Sequence, residues 1–95
     1  MKIETFENVF DAICDTPEEA ENLKLRSVLM DELTDRIEGM SQKDAAALLG
    51  VTQPRVSDLI RGKISRFGLD KLVNMATRAG LGVTLTVQKR ARLAA

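Results

Sequence analysis

SQKDAAALLGVTQPRVSDLIRG, residues 41–62, holds two short helical patterns separated by one glycine. Ser41 precedes the first, where a hydroxyl can accept a hydrogen bond from an otherwise unpartnered N–H of the first helical turn. Ala45, Ala46 and Leu49 then fall on one face. Gly50 stands where the chain must bend sharply, which a residue without Cβ does at least cost. Thr52-Gln53-Pro54 restarts a helix, with Val56, Leu59 and Ile60 expected to face inward. Proline lacks an N–H, but in a first turn that group has no helical partner anyway. It also pushes its predecessor away from helical dihedrals, so the cap of the second helix is either Thr52 or Gln53.

Two helices joined steeply by a short glycine-containing turn make a helix-turn-helix. The close crossing needs a small residue, which Ala46 supplies. Apolar residues are also required at set offsets around the glycine, and Ala45, Leu49, Val51, Val56 and Leu59 occupy them.

GVTQPRVSDLIRG, residues 50–62, resembles the second half of this motif in the XRE family, which includes the phage lambda repressor and Cro proteins. The resemblance runs from residue 41 to about residue 80. It implies a lambda-repressor-like DNA-binding domain. Gln42 and Gln53 match positions at which those repressors read operator DNA. Three departures stand out: Pro54 replaces a usually polar contact residue, Asp58 places an anion on the DNA-facing side, and Ile60 stands where many relatives have Glu. The base preference of the family therefore does not carry over.

The chain of 95 residues suits one domain with a modest core, in which roughly two-thirds of the unfolded surface can be buried. A single cysteine, Cys14, cannot form an internal disulfide, and it fits a reducing cytoplasm as a small buried hydrophobe. The start, MKIETFENVF, is mixed and charged, so neither a secretory leader nor a membrane span is expected. The formal net charge is zero, yet residues 1–40 carry 4 basic and 11 acidic side chains, whereas residues 41–95 carry 10 basic and 3 acidic ones. Such a split either presents two surfaces to two partners or joins two solvated faces that attract each other.

Along the chain, Met1–Phe6 reads as a short edge strand or arm. Phe6, Val9, Phe10 and Ile13 recur at helical spacing. Thr16 is placed to cap a long helix with Pro17 at its first position and Glu19 completing a capping box. That helix is expected to reach about Gly39, with Leu25, Leu29, Leu33 and Ile37, flanked by Val28, Met30 and Met40, as its apolar stripe. After the motif comes a basic loop, residues 62–68, anchored by Ile64 and Phe67. A helix over residues 69–79 follows, directing Leu69, Leu72, Val73 and Ala76 inward and stopping at Gly80. Val83, Leu85 and Val87 alternate with Thr84, Thr86 and Gln88, which predicts a half-buried strand over 82–88. Its mate would be the N-terminal segment or, by preference, the same strand of a second copy. The expected architecture is thus mostly α: five helices and a short C-terminal β-strand.

Several side chains suit DNA. Gln53 can pair bidentately with adenine, and Arg55 and Arg61 can reach guanine or phosphate. Thr52, Ser57, Gln42 and Lys43 suit phosphate oxygens at helix N-termini. Lys63 and Arg66 extend the basic track. Asp58 either accepts from a cytosine amino group or, the preferred reading, braces Arg61 or Arg55. Catalysis has little to stand on: no histidine exists, the lone Cys14 has no histidine partner, and Glu18 and Glu19 are explained by capping. No cofactor or metal is expected.

Beyond the motif, MKIETFENVFDAICDTPEEAENLKLRSVLMDEL and RFGLDKLVNMATRAGLGVTLTV are similar to the short XRE-type antitoxins of HigBA toxin–antitoxin pairs. This resemblance implies a basic RNase partner of the RelE/HigB kind and repression of the pair's own promoter. The runner-up is a stand-alone repressor. A two-fold dimer would place its half-sites about one helical turn apart, roughly 10 base pairs.

Overall fold

The computed structural model describes residues 16–89. Among them are four α-helices, α1 (Pro17–Arg36), α2 (Gln42–Leu49), α3 (Gln53–Ile60) and α4 (Leu69–Arg78), with a 3-10 turn at Ile64–Arg66 between α3 and α4.

Local chemistry sets each boundary. Thr16 Oγ1 accepts the Glu19 N–H at 3.1 Å, and Pro17 opens α1. The helix stops at Arg36, short of the expected Gly39, because the chain tightens into turns: Glu38 N–H donates to Asp35 O and Met40 N–H to Ile37 O. These turns keep Ile37 buried and bring Met40 back against the core. Ser41 Oγ accepts the Asp44 N–H at 3.0 Å and starts α2. At the other end Gly50 adopts φ +73°, and the N–H groups of Gly50 and Val51 both donate to Ala46 O, at 2.8 and 3.0 Å. A side chain at that φ would crowd its own backbone, so glycine is the residue that permits the turn. Thr52 then lies extended, and its Oγ1 accepts the Arg55 N–H at 3.4 Å. Thr52, not Gln53, is the cap of α3.

α1 lies against α4, the 3-10 turn and α3, while α2 packs on α3 and α4. The core closes around Leu33, Leu49, Val56, Leu59, Phe67, Leu72 and Met75, all almost fully buried. Ala45 and Ala46 of α2 are buried too. Arg36 fastens the ends of α1 and α4 together, its Nε donating to Ala79 O at 3.0 Å.

The structure corrects the expected architecture. No strand forms among the described residues: residues 81–89 are neither helix nor strand, and every side chain from Gly82 to Lys89 is exposed. A strand requires a neighbouring edge to satisfy its backbone groups, and no such edge lies in the described chain. Four helices are described rather than five; the expected helix around Phe6–Ile13, the arm before it and Cys14 lie outside the described residues. Leu25 and Val28 are 43% and 57% exposed. At 3.6 residues per turn they stand about 80° and about 140° around α1 from buried Leu33, beyond the edge of the packed face. Ile60, expected inward, is 51% exposed, because it closes the last turn of α3 and overhangs Met30, Asp31 and Thr34 of α1.

A Cβ at Gly50 would be strained by the positive φ and would also meet the Arg78 side chain lying across it. Gly50→Ala should cost about 1–2 kcal/mol, mostly backbone strain, since the end of Arg78 can swing away. The thermal midpoint followed by circular dichroism should fall by about 4–8 °C per kcal/mol. An unchanged midpoint would contradict this account of the turn.

Candidate nucleic-acid interface

The residues expected to meet DNA occupy two helix starts and the loop after α3. Gln42 and Lys43 form the first turn of α2, and both are exposed. Thr52, Gln53 and Pro54 open α3 and are exposed as well. Ser57 is half-buried, and Arg61, which follows the last turn of α3, is exposed. Lys63 is half-buried and Arg66 exposed, on either side of Ile64 and Ser65.

Two arginines come together on one carboxylate. Arg55 Nη1 donates to Asp58 Oδ2 at 3.1 Å, and Arg66 Nη1 donates to the same oxygen at 3.3 Å. The Asp58 side chain is only 14% exposed. The Arg55 guanidinium sits 5.8 Å from the centre of the Phe67 ring, an arrangement in which the ring's negative face attracts the cation. Of the two arginines the sequence offered, Asp58 therefore braces Arg55 and not Arg61, and Arg66 joins from the loop. Two cations around one anion leave the cluster a net positive charge, with its single carboxylate already engaged. Arg61 and Lys63 have no ion pair among the described residues.

The loop beneath this cluster is anchored by Phe67 as the sequence suggested, but its tie to α1 was not legible there. Phe67 is completely buried. Arg26 of α1 holds the loop in place: its Nη1 donates to Ile64 O at 3.1 Å and to Phe67 O at 3.2 Å, while its Nε donates to Asn22 Oδ1 at 2.7 Å. Arg26 looks like one base in an acidic stretch, and nothing local signals a bond to carbonyls 38 and 41 residues away.

An exposed α3 start with a glutamine and a braced cationic flank, set on α2 across a glycine turn, defines a helix-turn-helix DNA-binding domain. The sequence comparison agrees, matching residues 12–88 to the family described as helix-turn-helix domain. The chain belongs to that family. No curated protein matches the sequence. Among the described residues no helix is long and apolar enough to cross a membrane, and no group of three His, Cys, Asp or Glu side chains is placed to hold a metal.

Arg26→Ala removes a charged donor from two carbonyls that tie the loop to α1. A loss of about 1–3 kcal/mol is expected, read as a lower midpoint in urea unfolding. Arg66→Ala, which breaks only an exposed pair, should cost no more than about 1 kcal/mol. Equal losses for the two variants would contradict the assignment of Arg26 as the tie.

Proposed function

We propose that this protein is a sequence-specific transcriptional repressor of the cytoplasm that binds operator DNA as a homodimer, with the N-terminal turn of α3 in the major groove. One observation carries the reading: the start of α3 is open and polar, while Val56 and Leu59, about one and two turns later, are buried. Gln53 offers the amide donor and acceptor that match adenine, and Arg61 supplies a cation for guanine or phosphate. Gln42, Lys43, Thr52 and Ser57 serve the phosphate backbone, along with Lys63 and Arg66. Arg55 belongs to the same track. In this reading Asp58 acts indirectly, by holding Arg55 and Arg66.

A second function is proposed for the acidic side of the molecule. Residues 1–40 carry 11 of the 14 acidic side chains. On α1, Leu25 and Val28 stand exposed amid them. Aliphatic side chains in an anionic surround suit a small basic protein, and masking the cationic surface of an RNase would neutralise it. We therefore read the chain as the antitoxin of a HigBA-type pair that also represses its own promoter. The alternative is a stand-alone regulator of the phage-repressor type.

The first reading is tested with a mobility shift on the DNA upstream of the chain's own gene. Gln53→Ala with Arg61→Ala should weaken binding by about 1–3 kcal/mol per lost base contact and reduce the salt slope by about one. Unchanged affinity and slope would refute the placement of α3. The second reading is tested by co-expressing the neighbouring small basic reading frame. The antitoxin predicts a product that is toxic alone and co-purifies with this chain; a harmless product that does not bind favours the stand-alone regulator.

A further inference from the structure

Two apolar surfaces of the folded chain stand uncovered at the same time. The first surrounds Ile60, which separates two shallow hollows. Met30 and Ile64 line one, with Asp31 beside them; Ile37 and Met40 line the other, with Asp35 and Glu38 beside them. The second is the segment after α4. There Val83, Leu85 and Val87 are 43%, 79% and 84% exposed, although Leu81 just before them packs on the core. The two surfaces also carry opposite charge. Asp31, Asp35 and Glu38 have no ion pair among the described residues. The segment runs into Lys89, and the sequence continues with Arg90 and Arg92.

We propose that the C-terminal segment of a second copy lies across the Ile60 hollows, each copy lending its segment to the other around a two-fold axis. Alternate residues of an extended chain recur about every 6.6 Å on one side, so successive apolar side chains can straddle the Ile60 ridge and enter the hollow on either side. Thr84, Thr86 and Gln88 then face solvent. Lys89 comes to the carboxylates of α1, which flank both hollows. Within one chain both surfaces stay open, so the chain's own fold does not join them. A reciprocal exchange fills both hollows and covers both segments with no open end, which is how a two-fold assembly closes. Eight residues, 82–89, reach up to about 26 Å when extended, enough to cross to a neighbour. The contact deepens the operator-binding reading, since it joins two copies of α3 in one assembly, but it forms without DNA and is tested without it.

In a Cys14→Ser background, the full chain carrying both Ile60→Cys and Leu85→Cys is oxidised mildly and its disulfides are located by peptide mass spectrometry. The proposal expects covalent dimers joined between positions 60 and 85. A 60–85 bond within a monomer, dimers joined only between two copies of position 85, or no cross-link would each overturn it. Independently, sedimentation of Ile60→Asp and of Leu85→Asp, with helix content checked by circular dichroism, should show dimer dissociation constants raised by more than about tenfold, or about 1.4 kcal/mol. A folded Ile60→Asp that dimerises like the unaltered chain, or an unaltered chain that stays monomeric, also overturns it. Loss of operator binding with the cross-link intact would count against the DNA reading alone.

Discussion

The angle between α2 and α3 rests on one carbonyl. Ala46 O accepts the N–H groups of both Gly50 and Val51, an arrangement reached only because Gly50 turns through a positive φ. From that closure the rest follows in order. Val51 is turned back against the core, Thr52 is left extended as a cap, and α3 begins with its polar end outward and Val56 and Leu59 inward. The small side chains of Ala45 and Ala46 let the two helices approach at this turn.

The turn alone would leave α3 loosely held, because an eight-residue helix has little stability of its own. Its hold comes first from Val56 and Leu59, buried in the core, and then through Phe67 and Asp58. The ring is buried under Arg55, while the carboxylate draws Arg55 and Arg66 to one oxygen. Arg26 carries the connection onward to α1 through the carbonyls of Ile64 and Phe67. Long helix, loop and α3 are thus linked by charge-assisted contacts, at the edge of a core that is otherwise aliphatic. The same contacts keep the carboxylate of Asp58 occupied, which reduces the penalty an unpaired anion would impose near phosphates.

What could be read from the sequence was local. Ser41, Thr16, Gly50 and Gly80 act on neighbours three to five residues away, and each behaves in the structure as its type and position suggested. The buried face of α2 was legible for the same reason; on α4 Leu72 and Ala76 are buried as expected, but Leu69 and Val73 are only half-buried and Met75, not counted inward, is buried. Failures occurred where a partner lies far along the chain. The alternation of Val83, Leu85 and Val87 suits a strand, but alternation cannot supply the edge a strand needs. The apolar stripe of α1 was drawn too wide, since Leu25 and Val28 are apolar by type yet fall beyond the reach of α4. Asp58 was read as a brace for Arg61 or Arg55; it holds Arg55, and Arg66 joins it from a 3-10 turn that does not show in its residue types. The DNA-contacting roles of Gln42, Gln53 and the arginines rest on position and chemistry.

The central claim is that the exposed start of α3, steadied from behind, is the surface that meets a duplex. The most direct measurement is an amide NMR titration of the isotope-labelled chain with DNA from upstream of its own gene. The account predicts that the largest shifts fall at Gln42–Asp44 and Thr52–Ser57, with the loop at Lys63–Arg66 following and the amides of Leu25–Glu32 nearly still. Shifts centred on α1, with the Thr52–Ser57 amides unmoved, would contradict it.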